Sequence, residues 1–469
     1  MQEEPLQELK RFCKSLRNRF KDPLPRNSAL KLKRIVREEK GFKYEFETIS
    51  KSYFYTVNFP ENLLEKINHI PEINLKQILT AIGITFVPSF FKITDFECVE
   101  INTADLDQDT CHFFETFLIK GLGEFRYLQG LDPGRRVRVI ANIDKEALGP
   151  ASIRTSDTLL MLNGGGKDTI VAAEILKKTG QEFIWATVNP DDTRRKVIEI
   201  SENKKSYYVN YSSDKNMHID YRYAWGHVPF SAICASLGTL IAMATGLRYV
   251  ASGNEVSANY GNVIYKGQEV NHQYSKTFEF EKGFSDFVKR RVSGDINVFS
   301  ILRPFHDLQL ASLFSNMSDY HSHFISCNRE IRRGRWCKEC PKCAFTAMAL
   351  YPFVGPDGIR KIFGEDILQK TSIRKHIFDL VSDGIKPWEC VGTLEESRLA
   401  LSLILERYPE LEFDGQKYKK TFEKIIIDFD KEKSYKKIID STQEQHIIPP
   451  GLVDKINMAL PKKLKIKKN

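Results

Sequence analysis

Short apolar runs separated by longer amphipathic stretches dominate the middle of the chain. Leu159 to Leu162, Phe183 to Val188, Ser206 to Asn210 and Arg248 to Ser252 each suit one strand and are too short for a helix. Between them the pattern predicts a helix opening at Thr169 and leaving at Lys177, Lys178 and Gly180, another over Asp191 to Ser201, and a small-residue helix over Pro229 to Gly246. This alternation predicts an α/β fold, an open parallel sheet with helices on both faces. Ligands sit beyond the carboxyl ends of such strands, which puts Thr187 to Asp192, Val209 to Asp214 and Ser252 to Asn262 on one rim.

The flanks read differently. Residues 1 to about 45 form a polar, helical lead-in, and from Tyr44 to about Asp144 the runs YEFETI, YFYTVNF, ILTAIGITFV, ECVEINTADL and VRVIANI suggest a smaller α+β domain. GLGEFRYLQGL, Gly121 to Leu131, reads as a turn between helix and strand. Beyond Tyr351 the pattern is helical, with Thr393 and Glu396 spaced as a capping box. The expected domains are 1–150, 151–355 and 356–469, the last with a basic tail.

The net charge of +9 over 469 residues is modest, and its excess lies at the two ends, Lys10 to Lys40 and PKKLKIKKN. These read as a solvated face and a frayed tail, so a nucleic-acid partner is not expected. The opening MQEEPLQELKRF has acidic residues where a secretory leader needs a positive region followed by an apolar one. The most apolar stretch, Pro229 to Leu247, is interrupted by Ser, Thr and Gly and reads as a buried helix. No membrane span and a cytoplasmic location follow as expectations; oligomeric state is left open.

Candidate chemistry begins at Asn163 to Thr169, NGGGKDT. Three glycines let the backbone turn tightly against a ligand, while the N–H groups and positive dipole end of the next helix point to the same spot. A phosphate fits there. The loop is not a Walker A motif, since Asp168 follows Lys167 and Met161 stands where the first glycine belongs, and it lacks the third glycine of a dinucleotide fingerprint. Downstream, Asn254, Glu255, Asn259, Asn262, Asn271, His272, Gln273, Lys276, Glu279 and Glu281 form a polar cluster that a core would not accept. Cys327, Cys337, Cys340 and Cys343, spaced C-x9-C-x2-C-x2-C, have the spacing of a structural zinc site. Cys13, Cys98, Cys111, Cys234 and Cys390 are scattered and read as packing residues.

The loop resembles the SGGxDS loop of the N-type ATP pyrophosphatases, the PP-loop family, and its place upstream of the cysteines is similar to 7-cyano-7-deazaguanine synthase. Six blocks together resemble the UDP-N-acetylmuramoyl-L-alanyl-L-glutamate epimerase family, MurL: GLGEFRY, NGGGKD, GNEVSAN, EVNHQYSKTFEFE, WCKECPKC and KPWECVGTLEE, from about residue 121 to 397. Thr169 stands where PP-loop sequences usually have serine but keeps the hydroxyl, and the basic ends lie outside the pattern.

The resemblance implies an enzyme that adenylates the terminal glutamate carboxylate of a UDP-muramoyl dipeptide, or of a related peptide ending in glutamate, and inverts its α-carbon, releasing AMP and diphosphate. It implies ATP and Mg²⁺, with Asn163, Gly164, Gly165, Gly166, Lys167 and Thr169 around the pyrophosphate and Asp168 on the metal. Inversion needs a proton carrier on each face of the α-carbon; the candidates are His272, Lys276, Glu279 and Glu255, with Glu124 outside the cluster. Glu124, Arg126, Asn254, Asn259 and Lys386 are candidates for holding substrate. Two other readings stand beside this one: a PP-loop enzyme adenylating a tRNA base or another carboxylate, and a non-catalytic nucleotide-binding scaffold.

Overall fold

The computed structural model describes residues 29–143, 149–222, 226–413 and 416–468. The part of the lead-in before residue 29 lies outside the described residues. Twelve strands matter for the site: β1 (Ala29–Glu38), β2 (Gly41–Glu47), β3 (Ser52–Asn58), β4 (Cys98–Leu106), β5 (Arg138–Ile143), β6 (Ser156–Leu162), β7 (Phe183–Val188), β8 (Ser206–Ser213), β9 (Leu247–Ser252), β10 (Val263–Tyr265), β11 (Gln268–Val270) and β12 (Asn297–Ser300). Ten of them form one sheet in the order β12-β9-β6-β7-β8-β3-β2-β1-β4-β5, and β10 and β11 make a separate hairpin.

The sheet is mixed. From β12 to β8 all neighbours are parallel; β8, β3, β2 and β1 pair antiparallel; β4 and β5 return to parallel. Because β3 pairs with β8, the sheet runs without a break across residue 150, where a domain boundary was expected. The β1–β2 hairpin replaces the expected helix over residues 29–45, since Leu30 and Leu32 alternate with charged residues and only their side is buried.

Helices cover both faces. Leu159 and Met161 of β6 enter one core with the helix Lys167–Lys178, while Leu160 enters the other with Phe230–Thr245. That alternation follows from the period of two in a strand covered on both sides. Pro229 and left-handed Gly246 bound the latter helix, close to the sequence expectation. The helix Glu72–Phe86 continues into a short turn, and this segment is apolar enough to cross a bilayer by composition, but it packs against the sheet and is largely buried.

The C-terminal region is helical, and Thr393 and Glu396 cap the helix Leu394–Arg407 reciprocally: Thr393 Oγ1 accepts from Glu396 N at 3.2 Å and Glu396 Oε2 from Thr393 N at 2.7 Å. The described part of the tail is docked rather than frayed. Leu464 and Ile466 are buried, and Lys463 and Lys468 pair with Asp440 and Asp454 at 2.7 and 2.8 Å. Among the parallel strands β6 is central, with β7 and β8 on one side and β9 and β12 on the other. Strand order therefore reverses at the β6/β9 pair, and a crevice opens beyond their carboxyl ends.

Candidate active site

The loop after β6 is braced by its own side chains. Asn163 Oδ1 accepts from Gly165 N at 3.0 Å, its Nδ2 donates to Thr187 Oγ1 and to the Arg194 carbonyl, and Thr169 Oγ1 accepts from Gly164 N at 3.1 Å. Gly165 has φ of +75°, which an L side chain rarely adopts, and a Cβ on Gly166 would stand 3.0 Å from Ser326 Oγ. The helix begins at Lys167, two residues earlier than expected, with no side-chain cap. Its first N–H groups and dipole therefore face the crevice, as an anion site requires.

Lys167 itself turns away from the opening. Buried, it pairs with Asp168 and, at 2.6 Å, with Asp307 Oδ1. Burial works against its charge, but the two carboxylates outweigh burial and raise its pKa.

In front of the loop is a cavity of about 480 Å³, walled by Gly164, Gly166, Asp168 and Thr169, by Ser252 to Asn254 after β9, and by Ser326, Asn328 and Lys342 opposite. One end holds an acid–base cluster. Cys390 Sγ lies 3.3 Å from Lys276 Nζ and 3.9 Å from His272 Nε2, and His272 Nδ1 bonds to Glu124 Oε2 at 2.8 Å. The His227 ring centre lies 4.6 Å from that of His272, with the two planes tilted by 54°.

Electrostatics sort these groups by charge. Burial pushes the Cys390 thiol up, but Lys276 and His272 outweigh it and bring the thiol down to about 5. Burial disfavours the His272 imidazolium, yet hydrogen bonds to Cys390 and Glu124 raise it to about 10. His227, disfavoured by burial and by the neighbouring His272 and Lys276 charges, is held well below the usual histidine range and stays neutral. Glu255 is raised to about 7 by burial and by the charges of Asp168 and Asp307. Glu124, His227 and His272 offer ligand atoms within 4.8 Å of one another, and the positive charge of Lys276 lies beside them.

The four cysteines also converge. Their Sγ atoms lie within 4.8 Å of one another, with Cys337 to Cys343 at 3.7 Å and Cys340 to Cys343 at 3.5 Å. A tetrahedron with Zn–S bonds of about 2.3 Å has edges of about 3.8 Å, so the donor set fits zinc. The site stiffens one wall of the cavity: Cys327 lies between Ser326 and Asn328, and Lys342 between Cys340 and Cys343.

The family profile described as the MurL N-terminal domain matches residues 33–301, and that of the MurL C-terminal domain matches residues 323–422. The chain belongs to the MurL family. Three relatives named UDP-N-acetyl-alpha-D-muramoyl-L-alanyl-L-glutamate epimerase agree with that placement. One from Xanthomonas oryzae pv. oryzae is 30% identical over 390 residues, covering 81% of this chain and 86% of the relative. One from Micromonospora sp. is 32% identical over 305 residues (61% and 66%), and one from Salinispora tropica is 33% identical over 297 (61% and 64%). No solved structure matches the chain.

The MurL blocks quoted from the sequence meet at this cavity, but not every candidate residue does. Asn163, Gly164, Gly166, Asp168, Thr169, Asn254, His272 and Lys276 line it. Glu124 reaches it through His272, and buried Glu255 acts on it through charge. Gly165 shapes the loop from behind. Lys386 is half-buried, its Nζ directed to the Tyr260 carbonyl at 3.4 Å.

Three candidates have other duties. Glu279 is exposed and pairs with Lys120 at 2.6 Å; Arg126 is fully buried, donating to the Arg135 carbonyl at 2.7 Å beside Asp95; Asn259 Oδ1 accepts from Phe278 N at 2.7 Å. Gly121 to Leu131 is not a turn, because Gly123–Leu128 is helical and presents Glu124 to His272. Cys390 is no packing residue either. Its place in KPWECVGTLEE was the available signal, as was that of Lys342 in WCKECPKC, whereas His227 and Asp307 carried none.

Proposed function

We propose that this MurL-family chain is an ATP-dependent epimerase in peptidoglycan precursor synthesis, acting on UDP-N-acetylmuramoyl-L-alanyl-L-glutamate. In this reading the terminal carboxylate is adenylated at a PP-loop, Asn163 to Thr169, and the neighbouring α-carbon is inverted. The α-proton beside a free carboxylate resists removal because the carbanion would adjoin a negative charge. Adenylation removes that charge, makes the carbonyl an electron sink, and lets a base and an acid exchange the proton on opposite faces.

The observation that supports this best is one cavity lined both by an uncapped helix N-terminus and by Lys276, His272 and Cys390. The loop N–H groups would hold the β,γ-phosphates and Asp168 the magnesium that accompanies them, which screens phosphate charge. Asn163 fixes the loop rather than the ligand. Glu255, poised near neutrality, suits proton transfer. The four-cysteine group would hold a structural zinc that supports the cavity wall.

Incubation with ATP, Mg²⁺ and the muramoyl dipeptide in deuterated water tests the reading. AMP and diphosphate should appear together with deuterium at the glutamyl α-position; ADP, or AMP that depends on tRNA, would refute it.

A further inference from the structure

The cavity contains a thiol, Cys390, to which the proposed function gives no role. Cys390, His272 and Glu124 stand in line: Sγ to Nε2 is 3.9 Å, and Nδ1 to Oε2 is 2.8 Å. This is the order of nucleophile, imidazole and orienting carboxylate that activates thiols elsewhere. Lys276 Nζ stands 3.3 Å from the sulfur, and Lys342 donates to the Cys390 carbonyl, fixing its backbone. The geometry points to Cys390 as a nucleophile that takes the activated glutamyl group from AMP and holds it as a thioester while the α-carbon is inverted. The inference rests on the adenylation reading above.

The steps balance. A sulfur lone pair forms the S–C bond, the bond between the acyl carbon and the phosphate oxygen breaks, and AMP leaves with that electron pair. The thioester carbonyl then accepts the α-carbanion charge as the mixed anhydride would, and one proton leaves and one returns without net change. Water adds to the acyl carbon, the C–S bond breaks, and the thiolate departs, leaving the D-glutamate carboxylate and two protons. The only co-reactants are ATP and water.

Two arguments favour attack over proton transfer for this thiol. A thiolate flanked by two cations is a weak base toward a carbon acid, whereas it stays ionised as a nucleophile and leaves readily on hydrolysis. A thioester also lets AMP leave while the substrate remains tethered for inversion.

The test uses the full chain with ATP, Mg²⁺ and muramoyl dipeptide labelled in its glutamate. In single turnover, wild-type protein should release diphosphate and AMP in successive bursts and keep label through acid denaturation, mapping to Cys390. Cys390→Ser should keep the diphosphate burst within about threefold, which also reports its folding, lose the AMP burst and the bound label, and invert more than about 100-fold more slowly. Inversion lost with the AMP burst intact would make Cys390 a proton carrier and overturn the thioester. So would wild-type protein that inverts substrate without ever retaining label. Wild-type protein that releases no diphosphate would instead refute the adenylation reading itself.

Discussion

Glu124 Oε2 and His272 Nδ1 meet at 2.8 Å across 148 positions of sequence, and the bond holds the imidazole with Nε2 toward Cys390. Glu124→Gln removes the charge and keeps the shape. Inversion should fall by about 10²-fold or more while diphosphate release continues, as expected for a group that orients an imidazole. Burial alone would lower the His272 pKa, and the hydrogen bonds to Cys390 and Glu124 raise it to about 10. That contribution to stability is complete below the free imidazole's 6.5 and lost as pH rises through about 10. The melting difference between wild type and Glu124→Gln should therefore be largest below pH 6.5, shrink as pH rises from there, and be lost by about pH 10.

Lys167 and Asp307 form an ion pair with both side chains nearly inaccessible, at 4% and 2% exposure. Asp307→Asn leaves the buried ammonium with Asp168 still beside it, so the loss in urea denaturation should be about 2 kcal/mol, below that of an unpaired buried charge. Asp168 is 29% exposed on the cavity side. Asp168→Ala should cost less stability yet abolish AMP formation, which separates the structural carboxylate from the one facing the cavity.

The parallel half of the fold was legible because β6 to β9 are short apolar runs bounded by loops and amphipathic helices, and strand ends there fall within a few residues of expectation. The other half was not. Ile78 to Val87 is apolar at nearly every position, so periodicity has nothing to act on, and it proves helical. The strand Ala29–Glu38 hides its alternation under five lysines, arginines and glutamates after Leu30. The glycine loop and the four cysteines were legible from local spacing. The thiol at Cys390 was not, since its character comes from Lys276 and His272, 114 and 118 positions away.

The four-cysteine site should contain one zinc per chain, measurable by elemental analysis. Cys340 also caps the helix Pro341–Phe363, its Sγ accepting from Cys343 N at 3.4 Å. Cys340→Ser should therefore lower both zinc content and melting temperature. Because Cys327 sits between two cavity-lining residues, stripping the metal with a strong chelator should weaken ATP binding as well.

Cys390 should alkylate as a thiolate at neutral pH. Lys276 and His272 face its sulfur, Lys342 and Lys386 add positive charge nearby, and Glu389 works the other way. Burial raises the thiol pKa, but the cations outweigh burial and set it at about 5. The iodoacetamide rate of wild-type protein should therefore be level from pH 9 to about 6 and fall with a midpoint near 5, where an ordinary thiol would already be slow below 9. The sign for stability is the same: the depressed pKa contributes fully above 9 and is lost as pH falls through about 5. Lys276→Met removes the nearest cation and should move the alkylation midpoint upward by at least one unit, about 1.4 kcal/mol. An unchanged midpoint would mean that His272 alone holds the thiolate, and Glu124→Gln should then shift it instead.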